Sequence, residues 1–325
     1  MTAWHDLPYG VDDVDPLQAR PLKPDHVRCC IKGCSRILER AHRQTRRDPA
    51  CFCPDHGIRV SASTTSPTYV YEDPSRNFIV DRHLLDDVDK TVRWRLPNET
   101  SEDALSWNVF VGLRRLERLR EVVRTFTGTT VDREPELYLW SSKIGVNGVN
   151  RWAAICEVRK ALEESHNIQT EPDVTIRVPG EVLILVEAKF GSANCTLASK
   201  DYASVDEFLD VYEAPVGSDP LDRAWIGSQQ EGRVLEQLCR HAVFGAWLRE
   251  PGERVVLINL LRRCELIAKP PEFAPHLNPA GPVEFSARSW EDLFPLCECP
   301  GGDLLIQYFR GKSYHLRPAF DLTKP

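Results

Sequence analysis

Apolar and polar residues follow two different periods along this chain, and each change of period marks a predicted element. After Thr100-Ser101-Glu102-Asp103, which can supply an N-cap and a first-turn carboxylate, apolar residues recur at Leu105, Val109, Leu113, Leu116, Leu119 and Val123. Steps of three and four share one helical face, so the spacing predicts a single long amphipathic helix to about Phe126, ended by Gly128. Residues 137–140 are short and apolar enough for a strand, and 152–164 read as a second helix. The period then falls to two. Residues 173–178 (DVTIRV) alternate, Pro179-Gly180 turns the chain, and 182–190 (VLILVEAKF) form a β-rich run. A long helix is expected over 224–249, a buried strand over 254–261 (RVVLINLL), and helical pieces around 290–296 and 304–309. Before residue 100 the pattern is weak. Residues 1–28, rich in Pro and Asp, read as an irregular arm, and short strands are expected at 68–71 and 78–80. The expected organisation is an arm (1–28), a metal-binding module with its connector (29–99), and an α/β domain with mixed α+β character and a helical extension (100–325).

Composition narrows the class. The chain has 325 residues, 42% hydrophobic and 27% charged, enough apolar material for a packed core. No stretch approaches the roughly 18 apolar residues a bilayer span needs, and the acidic first residues lack the pattern of a signal peptide. A soluble, cytoplasmic protein with no membrane partner is expected. The net charge of -7 argues against a histone-like polycation, but local basic patches still attract phosphate. No Walker A sequence is present, which excludes ATP-driven translocation by that motif.

The informative constellation is Pro172-Asp173 followed by Glu187-Ala188-Lys189. Strand side chains alternate, so Glu187 and Lys189 project from one face. If the turn at Pro179-Gly180 has a three-residue loop, Val178 faces Val182 and Asp173 falls opposite Glu187. Two carboxylates so close are destabilising unless a cation bridges them, and a hard ion such as Mg2+ or Mn2+ does so through oxygen ligands. The Ala188 carbonyl can add a third oxygen, with Lys189 aimed at a water or phosphate beside the metal.

These residues resemble the signature of the PD-(D/E)XK nuclease superfamily, over about residues 100 to 262, in the order helix, strand, hairpin strands, helix, strand. The resemblance implies a restriction-endonuclease-like fold, a central mixed sheet flanked by helices, that cuts DNA phosphodiesters with Mg2+. It implies Asp173 and Glu187 as metal ligands and Lys189 as the group that orients the attacking water and offsets transition-state charge. Glu102 is similar to the acidic residue many members place on the first core helix, with Asp103 and Glu99 competing for that role. Gln237 is similar to a helper glutamine, chosen over Gln229 and Gln230, although His241 replaces the usual tyrosine four residues on.

Five of the eleven cysteines lie between Cys29 and Cys53. An odd total in one dense cluster reads as a metal site, not a disulfide framework. Cys53-Pro54-Asp55-His56-Gly57 has the form of a zinc knuckle. With Cys30 and Cys34 as the first pair, Cys53 and His56 complete a closed structural Zn2+ set; Cys29 can replace Cys30, and Cys51 can replace Cys53. Lys32, Arg36, Arg40, Arg43, Arg46 and Arg47 between the knuckles offer a grip on phosphate, as do Arg114 and Arg118 on the long helix.

The expected function is a Mg2+-dependent deoxyribonuclease, of the kind that serves bacterial defence against foreign DNA, with DNA as partner. A homodimer and a regulatory or defence-system partner are compatible with it. The competing readings are a non-catalytic nucleic-acid- or partner-binding protein on the same fold, and a nuclease acting on RNA or repair intermediates.

Overall fold

A computed structural model describes residues 8–23, 25–40, 48–61, 63, 65–88, 95–145, 148–164, 170–197 and 202–323. Arg43, Arg46 and Arg47 lie outside them. The chain divides into two compact units: Met1–His83, Thr91–Gly112 and Cys297–Pro325 form the first, and Leu84–Lys90 with Leu113–Leu296 form the second. The boundary inferred near residue 100 does not coincide with this division. The C-terminal segment belongs with the N-terminal module.

In the first unit, β1 (Pro21–Lys23), β2 (His26–Arg28) and β3 (Ile37–Glu39) make a small antiparallel sheet, and β4 (Ile58–Val60) pairs with β5 (Tyr69–Tyr71). The described part of the stretch read as an irregular arm, residues 8–23 and 25–28, is therefore folded. Val14 and Ala19 are buried with Cys29, Cys30, Ile58, Tyr69 and Leu316 in one apolar cluster. No strand forms at 78–80; there the backbone is tied to a helix instead, with Ile79 N–H donating to Asn108 Oδ1 (2.8 Å) and Trp107 Nε1 to the Val80 carbonyl (2.9 Å).

The expected long helix is two. Helix α1 (Glu102–Arg115) starts at Ser101, whose Oγ accepts from Ala104 N–H at 3.2 Å. It stops because Glu117 takes a left-handed φ of 59°, and α2 (Leu119–Thr127) restarts at once and ends on Gly128 at φ 73°. Apolar spacing survives this break, which is why the pattern alone reads through it.

The second unit is built on a seven-stranded sheet flanked by helices. Its strands are β6 (Glu136–Leu139), β7 (Ser142–Ile144), β8 (Val149–Arg151), β9 (Val174–Val178), β10 (Val182–Ala188), β11 (Arg254–Leu261) and β12 (Val283–Ser289), in the order β12-β11-β10-β9-β6-β7-β8. β10 runs parallel to β11 and antiparallel to β9, so the sheet is mixed. Every residue of β10 is buried, as expected of a strand covered on both faces. Between the strands lie α3 (Ala153–Ala161), α4 (Val205–Val211), α5 (Arg223–Gly227), α6 (Glu236–Leu248) and α7 (Arg263–Ala268). The predicted helix over 224–249 is thus interrupted, at Gly227 and again by a turn at Glu231–Arg233.

Helix α6 seats on the sheet through Gly245, where a Cβ would stand 2.6 Å from Val255 Cγ1 and 3.1 Å from Leu185 Cδ1. Ile155, Phe208, Leu238 and Phe244 close the core against Leu183, Leu185 and Leu257. In the first unit, α8 (Asp303–Gly311) and the pair β13 (Ser313–Tyr314) and β14 (Arg317–Pro318) complete the chain. Among the described residues no helix is long and apolar enough to cross a membrane.

Candidate functional site

The β9–β10 hairpin has a three-residue loop, with Gly180 at φ 77°, and pairs Val178 with Val182 through to Val174 with Val186. Asp173 immediately precedes β9, and Glu187 is the next-to-last residue of β10, each one step beyond the last paired residues, Val174 and Val186. The turn is locked from β11's leading edge. Glu253 accepts from Arg177 Nε (3.0 Å), Arg177 Nη2 (3.2 Å) and the N–H groups of Gly180 (3.0 Å) and Glu250 (2.9 Å). Burial pushes its carboxyl up, but these donors outweigh that and hold it below the ordinary carboxylate range.

At the other end of the hairpin Asp173 Oδ2 accepts from Ala188 N–H (2.8 Å). Glu187 is fully buried, and its Oε1 lies 2.5 Å from Lys189 Nζ. Lys189 Nζ also donates to Gln237 Oε1 of α6 (3.1 Å). His241 Nδ1, one turn on, lies 3.4 Å from Glu187 Oε2. Burial, with the charges of Arg240 and Lys189 behind it, pushes the His241 pKa down to about 3, so the imidazole is neutral at physiological pH. Glu187 thus sits between one cation and one neutral ring. Glu102 opens α1 in the first unit, whereas Asp173, Glu187, Lys189 and Gln237 belong to the second. Glu99, its competitor, pairs with Lys312 at 3.4 Å.

Two side chains, Asn259 and Trp290, hold this backbone, with Asn194 braced against the first. Asn259, paired with Glu187 in the β10–β11 ladder, donates through Nδ2 to the Glu187 carbonyl (3.1 Å), and its Oδ1 accepts from Asn194 Nδ2 (2.9 Å). Trp290 Nε1 donates to the Lys189 carbonyl (3.0 Å). The signal for Asn259 was available, as the one polar residue within the apolar run of β11.

In the first unit, Cys29, Cys34, Cys53 and His56 bring their ligand atoms within 4.8 Å of one another. Cys34 Sγ and Cys53 Sγ are 3.8 Å apart, and His56 Nδ1 lies 3.3 Å from Cys53 Sγ and 3.7 Å from Cys29 Sγ. A tetrahedral site with Zn–S bonds of about 2.3 Å has sulfur–sulfur edges of about 3.8 Å, so the set fits one metal ion such as zinc. This corrects the first pair: Cys29 is in the cluster and Cys30 is not. Adjacent extended residues point to opposite sides. Cys30 is fully buried beside the cluster, and burial, aided by Glu99, pushes its thiol up to about 12. Cys51 is buried in a turn outside the cluster, which takes Cys53. The knuckle closes by Gly57 N–H and His56 N–H donating to the Cys53 carbonyl (2.8 and 3.2 Å), with Gly57 at φ 59°. No disulfide joins any of the cysteines. Arg36, counted with the phosphate-gripping residues, is held by Asp55 at 2.9 Å.

Compared with family models, curated proteins and solved structures, the chain finds no match.

Proposed function

We propose that the chain is a Mg2+-dependent phosphodiesterase acting on DNA, with a restriction-endonuclease-like core. The observation that carries this reading is the open end of the β9–β10 hairpin, where Asp173 Oδ2 accepts from Ala188 N–H and Glu187 meets Lys189, whose ammonium also donates to Gln237. The element order supports it as well: α1, β6, the β9–β10 hairpin, α6, then β11 parallel to β10.

The donor set suits a hard divalent ion, since Asp173, Glu187 and the Ala188 carbonyl offer only oxygen. When bound, Mg2+ polarises a phosphoryl oxygen and lowers the pKa of the attacking water. The protein's own groups do the rest. Asn259 and Trp290 fix the carbonyls of Glu187 and Lys189, so the strand end keeps its direction. Gln237 holds the Lys189 ammonium as it moves from Glu187 to the phosphate, where it offsets the charge developing on the equatorial oxygens. Neutral His241 gives Glu187 a polar neighbour without adding a competing charge.

Incubation of the purified protein with plasmid and linear DNA in Mg2+, Mn2+ or EDTA tests the reading. Cleavage in Mg2+ or Mn2+ that stops in EDTA and in Asp173→Asn is expected. The burial of Glu187 against Lys189 favours a second reading, a binder on a nuclease-like fold. Metal-independent DNA retention without cleavage, unchanged in Asp173→Asn, would replace the first reading with the second.

A further inference from the structure

The chain reaches Asp173 through Thr170-Glu171-Pro172, and side chains hold the start of that lead-in. Thr170 is buried, so its backbone groups need partners. Its carbonyl accepts twice from Arg159 of α3, from Nε at 3.0 Å and from Nη2 at 2.6 Å. Its N–H donates to Glu164 Oε2 (2.8 Å), and its Oγ1 donates to Glu164 Oε1, which also accepts from the Tyr212 hydroxyl (2.8 Å). Pro172, with φ fixed by its ring, stiffens the last link to Asp173.

Arg159 makes a second connection. Its Nη2 donates to Ser141 Oγ (2.8 Å) in the turn between β6 and β7, and Trp152 N–H, at the start of α3, donates to the Ser141 carbonyl (2.8 Å). Trp140 and Ser141 take left-handed φ values of 47° and 64°, and both are buried. Residues other than glycine keep such values only where their surroundings over-determine them. The turn directly follows Leu139, which pairs with Val174, and Asp173 directly precedes Val174. One guanidinium thus ties together the strained turn and the lead-in to Asp173. A buried charge adds little to stability, and these hydrogen bonds go to neutral oxygens. A planar fork with fixed donor directions is well suited to setting geometry.

We propose that Arg159 is a positioning residue, which keeps the Asp173 carboxylate on the Ala188 N–H and so presets it for a divalent ion. The ion rests on the hydrolytic reading, whereas the aim of the side chain does not, so two readouts are needed. Amide hydrogen exchange of the full-length chain reads the Asp173–Ala188 bond. In Arg159→Gln the Ala188 amide is expected to exchange more than about tenfold faster than in the parent, while the central amides of Leu183 and Leu257 keep parent rates. Arg159→Lys is expected to recover part of the protection. Ser141→Ala, which leaves the Thr170 bonds in place, is expected to give a smaller acceleration at the same amide. In Mn2+ titrations followed by electron paramagnetic resonance, Arg159→Gln is expected to bind more than about tenfold more weakly than the parent. Parent-like exchange at Ala188 in whichever of Arg159→Gln and Ser141→Ala fold, or equal acceleration across the sheet, would overturn the proposal. A parent that binds no Mn2+ and cuts no DNA, with Ala188 still loosened in Arg159→Gln, would overturn the hydrolytic reading and support the positioning role.

Discussion

At Glu187 a carboxylate has left water entirely, and Lys189 at 2.5 Å compensates for its charge. Breaking a buried pair by removing one partner costs about 3–5 kcal/mol, because the other charge is left alone. Lys189→Met is therefore expected to lower the melting temperature sharply, and added Mg2+ or Mn2+ to restore part of it. Asp173→Asn keeps an oxygen for the Ala188 N–H and is expected to melt close to the parent, which makes it the cleaner test of chemistry. Equal melting of both variants would contradict this description of the pair.

The metal cluster poses its own single-residue test. Cys29→Ser is expected to reduce zinc content well below one equivalent in elemental analysis, while Cys30→Ser retains the metal; the reverse would restore Cys30 to the site. Burial raises the Cys29 and Cys53 thiols above their ordinary range, with the neighbouring thiols adding to it at Cys29. Protons therefore compete strongly with the ion, and affinity is expected to fall as pH falls. The choice between Cys29 and Cys30 was beyond the sequence, because two adjacent cysteines differ only in which side of the chain they face. The choice of Cys53 over Cys51 was legible, since the Pro and Gly of the knuckle follow Cys53.

Elements were legible where burial and periodicity agreed. β11 has the bounds its apolar run predicts, and the hairpin register follows from a loop whose length Pro179-Gly180 limits. β12 was not seen, because its residues are mostly half-buried and polar, and pairing with β11 supplies the order its own pattern lacks. Glu117 and Gly227 break helices without disturbing apolar spacing, so periodicity could not reveal those breaks.

Glu253 fastens the hairpin, and Glu253→Gln is expected to cost about 1–3 kcal/mol at neutral pH through lost charge-assisted hydrogen bonds. The folded-state pKa of Glu253 is depressed, so its stabilisation is present above the unfolded value and is lost as pH falls through the folded one. Denaturant melts of parent and variant should therefore converge in acid, and a constant gap would contradict the assignment. Gly245→Ala is expected to destabilise by about 1–3 kcal/mol through overpacking against Val255, despite alanine's better helix propensity.

Across the whole molecule, two compact units place chemistry in different settings: thiolates and an imidazole in one, oxygens and an ammonium in the other. Metal affinity in the first is folding energy. Chelation is therefore expected to expose Met1–His83 to protease before the seven-stranded sheet, as read by mass spectrometry of the fragments; simultaneous loss of both would contradict separate stabilisation. A net charge of -7 gives no general attraction to DNA, so any grip on phosphate must come from local arginines and bound cations.

The central claim is that one hairpin end gathers two acidic side chains around a shared ion. Anomalous diffraction from a Mn2+-soaked crystal tests it most directly. The expected result is a manganese peak within coordinating distance of both Asp173 and Glu187, with Lys189 displaced from Glu187. A fully soaked crystal with no peak there, or a peak contacting one of the two carboxylates without the other, would contradict it.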